Sequence, residues 1–300
     1  MNECEVRPFD YATSVVDYLP TVSPELKQVT SPFTAVILAG TRCNNDPVAS
    51  VFGHQYKALV PIYGQAMISR VVGALRQSPY IKRIVIVFDC PVSLYESCPE
   101  LKEYSGTIDI KVVPCAKSIC ESLTSALQAA DDMWPYLVTT ADHALLTPAM
   151  VDEFCQKALW LKSDMAVGLV EKKYLDREHP QSKRTYLPFK GSKLSGANLF
   201  AFMGPTSFKA IRFWQSIEKE RKKPWKLFSA FGWSNLAALI CKRCTVDEAF
   251  ERASNRLGVD ARAIRLPFAE AAIDVDSRSD FLQVEKILAL RDTLHITIQT

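Results

Sequence analysis

The chain has 300 residues, enough for one large α/β domain or two small ones. Hydrophobic residues make up 48% of it, which excludes a disordered chain. The formal net charge is +3, from 36 basic and 33 acidic residues, so non-specific nucleic-acid binding is not expected.

Residues 1–32 show no clear period and carry Pro8, Pro20, Pro24 and Pro32. They read as an N-terminal extension that wraps or dangles. They hold Glu3, Glu5, Asp10 and Asp17 and no apolar run, so no secretory signal is expected. The nine cysteines are scattered from Cys4 to Cys244. Scattered thiols without an export signal fit a reducing cytoplasm and no disulfide framework. Cys241 and Cys244 have metal-like spacing but no second pair nearby, and read as ordinary helix cysteines. No apolar run approaches the roughly 18–20 residues of a membrane span.

Thr34 to Ala39 is a continuous apolar run closed by Gly40, the pattern of a buried parallel strand. Met67, Ile68, Val71, Val72 and Leu75 follow at helical spacing. Arg83 to Phe88 reads as a strand ending at Asp89. Ile108 to Val113 is the next strand and Ser118 to Ala130 the next helix. Tyr136 to Thr140 reads as a strand. Pro148 to Leu161 reads as a helix capped by Thr147, with Pro148 in its first turn. This alternation predicts an α/β fold with a doubly wound, mostly parallel sheet.

The second half is less regular. Met165 to Val170 reads as a strand. Residues 171–195 are polar and basic, read either as a solvated hairpin or as an arm presenting Arg184 and Lys190 to a phosphate. A strand is expected over Ala197 to Met203 and a helix over Thr206 to Glu220. Arg221 to Lys226 joins basic groups to Trp225. It reads as a solvated helix end, and it could instead touch anionic lipid at a membrane surface or a phosphorylated substrate. Helices near 234–243 and 246–256, strands at Ile264 and over Ala271 to Val275, and a closing helix from Phe281 to Leu290 complete the expectation.

Three segments carry chemistry. Ligands of parallel sheets bind beyond the carboxyl ends of strands. Gly40 ends the first strand and lets the backbone approach a phosphate. The turn amides, Arg42 and Lys57 could then surround a triphosphate, or the Arg and Lys could simply be solvated. Asp142 closes the Leu137 to Thr140 run, where it could hold Mg²⁺ or form a turn. Alternation puts Asp274 and Asp276 on one face, either one a second metal ligand. Asp280 is expected to support the start of the closing helix. His143, beside Asp142, reads as a residue that supports that acid or packs, with a catalytic role as the alternative.

Together these segments resemble the nucleotidyltransferases related to the molybdenum-cofactor guanylyltransferases, the MobA-like group, with its nucleotide-diphospho-sugar (GT-A-like) transferase fold. Leu38, Ala39, Gly40, Lys57, Leu59, Pro61 and Gly64 match the group's opening motif in order. Asp142 with Leu145 or Leu146 stands at its metal aspartate. Asp276 to Phe281 matches the closing acidic motif of sugar relatives at its two acids. Ser195 to Phe200, with Gly196 and Asn198, resembles the strand bordering their acceptor pocket. The second motif glycine is Thr41 here, the loop to Lys57 is longer, and Ala144 replaces a proline. Pro114 to Ser118 replaces the base-binding segment, so the base is not legible.

The resemblance implies an enzyme that moves a nucleotidyl group from a nucleoside triphosphate to a small phosphorylated acceptor, with Mg²⁺ and release of pyrophosphate. Its nucleotide contacts would be Leu38, Ala39, Gly40, Thr41, Arg42, Lys57 and Ser118. Its acceptor contacts would be Arg184, Lys190, Gly196 and Asn198. Residues 33–165 would form the nucleotide-binding half and 166–300 the acceptor-binding half. Two other readings stand beside it. One is a GT-A glycosyltransferase using Asp274-Val275-Asp276 as its metal motif. The other is a nucleotide-binding protein without turnover, suggested by the altered glycine loop. Oligomeric state is not legible.

Overall fold

The computed structural model describes residues 32–40, 46–131, 134–217 and 244–299. The 1–31 stretch, Thr41, Arg42, Trp225 with its basic neighbours, the expected 234–243 helix and Cys241 lie outside the described residues.

The first half runs β1 (Phe33–Leu38), α1 (Pro47–Val51), β2 (Pro61–Ile62), β3 (Gln65–Ala66), α2 (Met67–Gln77) and β4 (Ile81–Val87). Then come α3 (Pro91–Ser97), α4 (Glu100–Tyr104), β5 (Asp109–Val113), α5 (Ile119–Ala129), β6 (Tyr136–Thr140) and α6 (Pro148–Leu161). The second half runs β7 (Met165–Glu171), α7 (Lys172–Glu178), β8 (Leu187–Phe189), β9 (Ser192–Phe202) and α8 (Phe208–Ile217). It closes with α9 (Val246–Leu257), β10 (Ala261–Leu266) and α10 (Arg278–Gln299).

One sheet has the order β10-β7-β9-β6-β1-β4-β5, with β8 paired to β9. β1 pairs in parallel with β4 and β6, β4 with β5, and β7 with β10. β9 runs antiparallel to its neighbours β6 and β7. The sheet is therefore mostly parallel, as the alternating pattern predicts. Helices cover both faces, which is why β1 is apolar throughout. Phe33, Ala35 and Ile37 pack with Val71, Phe154 and Val284 of α2, α6 and α10. Val36 faces the other way, with Leu123 and Leu127 of α5 and Ile211 of α8.

Local chemistry sets the element ends. Thr147 caps α6, its Oγ1 accepting from the Met150 amide, with Pro148 in the first turn. Asp46 caps α1 through the amides of Val48 and Ala49. The extra residues after Gly40 thus build a short helix, and Phe52 at its end stacks on Phe281 of α10 at 4.1 Å. Tyr63 and Gly64 both have positive φ, 48° and 76°. That is the two-residue turn joining β2 to β3, and it accounts for the glycine after Pro61.

Two expectations are corrected. Ala271 to Val275 is not a strand. Residues Ala269–Ala272 form a 3-10 turn, and the segment after it is extended without a sheet partner. Residues 171–195 are more than a solvated hairpin. They contain α7, and β9 begins at Ser192 rather than Ala197 because its first residues pair with both β7 and β8. Among the described residues, no helix is long and apolar enough to cross a membrane. The described cysteines, Cys244 among them, are free thiols.

Candidate active site

The carboxyl ends of β1, β4, β5 and β6 meet along one edge. Leu38 pairs with Val87 on one side and Thr140 on the other, and Val87 pairs with Val113. Gly40, Asp89, Cys115 and Asp142 follow these strand ends directly. This is where parallel sheets hold their ligands.

Gly40 is set by close approach. A Cβ there would lie 2.4 Å from the Cys115 Sγ. The Cys115 thiol is pushed up to about 12 by burial and by its hydrogen bond and proximity to Asp89. Ser118 caps α5, its Oγ accepting from the Glu121 amide at 3.1 Å. The Ser122 hydroxyl accepts from the Ala116 amide at 2.9 Å and so fixes the turn in front of it. Asp89 and Cys115 were not picked out as site residues. The signal available for Asp89 was an acid ending a strand.

Lys57 opens a 3-10 turn after Tyr56 and is mostly buried. Its Nζ lies 2.7 Å from Oδ2 of Asp142 and 2.7 Å from Oδ1 of Asp276. Asp276 arrives there because the Val275 amide donates to the Asp142 carbonyl at 3.1 Å. Ile273 and Val275 are fully buried, which turns Asp274 and Asp276 the other way, as alternation predicts. Burial opposes the charge on Lys57, but Asp142 and Asp276 outweigh it and raise its pKa. Burial also opposes ionisation of Asp142, yet the Lys57 charge and hydrogen bond hold that carboxyl below its usual range.

Asp274 stands apart from this pair. Its Oδ1 is ion-paired to Arg184 and its Oδ2 accepts from Asn198 Nδ2 at 3.0 Å. Burial, then the charges of Asp276 and Asp142, push its pKa up despite Arg184. Asn198 adopts a left-handed φ of 49° where the pairing of β7 with β9 shifts register. The expected acceptor contacts divide. The Arg184 side chain is largely enclosed and held by Asp274 and Asp280. Lys190 stands beside the start of α9, its amide on the Cys244 carbonyl and its ammonium near Glu248. Gly196 is exposed on β9 with open space where a Cβ would point.

The donor set suits a hard divalent cation. Two carboxylates already converge on a single cationic position, occupied by the Lys57 ammonium. Asp142 Oδ1 and the neighbouring Thr140 Oγ1 are buried without a hydrogen bond of ordinary geometry. Among the described residues no group of three or more His, Cys, Asp or Glu could hold a metal alone. Two carboxylates completed by phosphate oxygens and water are how Mg²⁺ is usually bound. His143 is fully buried with both ring nitrogens without a hydrogen bond.

The sequence matches the MobA-like NTP transferase domain over residues 35–222. No curated protein matches it. A structure described as a hypothetical transferase from Thermus thermophilus superposes with a TM-score of 0.68 at 28% identity, covering 83% of this chain and 99% of that one. The CMP:2-keto-3-deoxy-manno-octonic acid synthetase complexed with CTP superposes with a TM-score of 0.54 at 13% identity, over 86% of this chain and 99% of the other. That second likeness is one of fold. With the sheet order, the Gly40 turn and the Lys57–Asp142 pair at the strand ends, the domain match fixes the assignment: the chain belongs to the MobA-like NTP transferase domain family and is a nucleotidyltransferase.

Proposed function

We propose that this enzyme transfers a nucleoside monophosphate from a nucleoside triphosphate to a small phosphorylated acceptor, with Mg²⁺, in the cytoplasm. The acceptor class is a sugar, polyol or cofactor phosphate. The observation that carries the proposal is the convergence of Lys57, Asp142 and Asp276 at the carboxyl edge of the sheet.

The triphosphate lies along the edge from Gly40 to Asp142. An oxygen of the acceptor phosphate attacks the α-phosphorus, and the bond to the bridging oxygen breaks. Pyrophosphate leaves with that oxygen. An acceptor phosphate is already anionic at neutral pH, so no side chain must remove a proton. Among the described histidines, His143 is buried, His179 lies 3.3 Å from Glu270 and His54 is exposed. Lys57 holds the leaving phosphates, and Asp142 with Asp276 would hold the cation. Bound there, Mg²⁺ would neutralise the charge gathering on the phosphoryl oxygens.

The test is a pyrophosphate-release assay with each of the four nucleoside triphosphates, Mg²⁺ and a panel of sugar, polyol and cofactor phosphates. Release that depends on both a phosphorylated acceptor and Mg²⁺ supports the reading. Release only with unphosphorylated acceptors, or undiminished release under chelation, overturns it.

A further inference from the structure

Arg184 is the most enclosed cation near the site, with a side chain 7% exposed. It comes from the segment between α7 and β8. One guanidinium nitrogen pairs with Asp274 Oδ1, and the other lies 2.6 Å from Asp280 Oδ1. These two acids flank Asp276 in sequence. Asp280 uses its second oxygen to accept from the Asp276 amide at 3.3 Å and from the Ser277 hydroxyl at 2.7 Å. One planar fork therefore grips both ends of the turn, and through Asp280 its hold passes to the Asp276 backbone. Asn198 takes the remaining oxygen of Asp274.

We infer that Arg184 is a positioning residue that sets Asp276 opposite Asp142, and is not a contact for the acceptor. The inference rests on the proposed role of Asp142 and Asp276 as the cation-binding pair. Three acids are crowded together at this edge. Asp276 itself is two-thirds exposed, so its own side-chain packing does little to hold it. Its placement comes from the backbone, tied at Val275 to Asp142 and at Asp280 to Arg184. A ligand phosphate recruiting Arg184 would strip two largely buried carboxylates of their counter-charge, which is strongly unfavourable. Lysine would not replace it in kind, because the guanidinium gives each acid its own nitrogen in one fixed plane, whereas an ammonium is a single point on a flexible stem.

The experiment titrates Mn²⁺ alone into the whole chain, by electron paramagnetic resonance, for wild type, Arg184→Lys and Asp280→Asn. Thermal unfolding is followed alongside. Arg184→Lys keeps the charge and loses the fork. Asp280→Asn keeps the shape and cuts the link to Asp276. Each is expected to weaken Mn²⁺ binding about tenfold or more while the chain stays folded. The double variant is expected to be no worse than either single one, because both break the same link. Mn²⁺ affinity unchanged in either folded single variant overturns the inference and leaves the cation pair standing. A selective rise in acceptor KM for Arg184→Lys, with Mn²⁺ affinity intact, also overturns it. Should the Lys57 ammonium keep Mn²⁺ out of the wild type, the same comparison is made in the Lys57→Met background; a chain that binds no Mn²⁺ there either removes the reading of Asp142 and Asp276, and this inference with it.

Discussion

The Lys57 ammonium sits 2.7 Å from Oδ2 of Asp142, a carboxylate whose other oxygen is buried without a hydrogen bond of ordinary geometry. Lysine and a divalent cation bound by these acids would therefore contend for one place. A triphosphate would draw Lys57 toward its phosphates and open the carboxylates to the metal that travels with it. Lys57→Met should then bind Mn²⁺ alone more tightly than wild type does. The same variant should bind the triphosphate more weakly by about 1–3 kcal/mol, the range for a lost charged hydrogen bond. Two calorimetric titrations check this, and an unchanged triphosphate affinity would count against Lys57 as the phosphate contact.

The three acids should separate by function. Asp142→Asn and Asp276→Asn are each expected to abolish pyrophosphate release in a folded protein. Asp274→Asn should lower turnover without abolishing it, since Arg184 and Asn198 already occupy both of its oxygens. Turnover paired with circular dichroism for each variant decides the point. Loss of activity in Asp274→Asn equal to that in Asp276→Asn would place Asp274 in the cation site.

Gly40 and Cys115 should behave as a coupled pair. Gly40→Ala drives a methyl group into the Cys115 sulfur and should destabilise the protein by about 1–3 kcal/mol, as overpacking does. Cys115→Ala removes that sulfur, so the double variant should recover much of the loss. Urea unfolding of the four proteins measures the coupling. Simple additivity would mean that Gly40 is required for some other reason.

Much of this was legible because it is local. The strand Tyr136–Thr140 and the helix Pro148–Leu161 follow from apolar runs and a cap, and the observed bounds coincide with those readings. The placement of Asp276 beside Asp142 was readable in part, because alternation persists even where the expected strand is an extended segment outside the sheet. The task of Arg184 was not legible. Its partners lie far along the chain, and the polar run around it looks the same whether solvated or folded inward. Asp280 was expected to support the start of the closing helix, and it lies in the first turn, its amide donating to the Ser277 hydroxyl at 3.3 Å, so that Ser277 is the cap. Its second task, holding Arg184, depends on tertiary pairing that no local pattern encodes.

His143 gives a prediction about acid. It is fully buried, and burial pushes its pKa down to about 4, with Asp142 opposing and Arg291 assisting. The unfolded chain takes up this proton near the ordinary value of about 6.5. Between those values the unfolded state binds more protons, so stability falls as pH drops from about 6.5 toward about 4. At higher pH this loss is absent. The linkage amounts to about 2 kcal/mol between pH 7 and pH 5. His143→Leu should remove that share of the acid sensitivity and be neutral or stabilising at pH 7, where the imidazole leaves two polar atoms unsatisfied. Urea unfolding of both proteins at the two pH values tests it. Equal losses in the two proteins would show that His143 is not the group responsible.

β9 runs through the middle of the sheet, hydrogen-bonded to β6 on one side and β7 on the other. A rigid rotation of the first half of the chain against the second would have to break that ladder. Among the described residues, the sheet therefore offers no hinge between the strand ends that carry Gly40 and Asp142 and the strand that carries Asn198. The two halves should also melt together, in one cooperative transition.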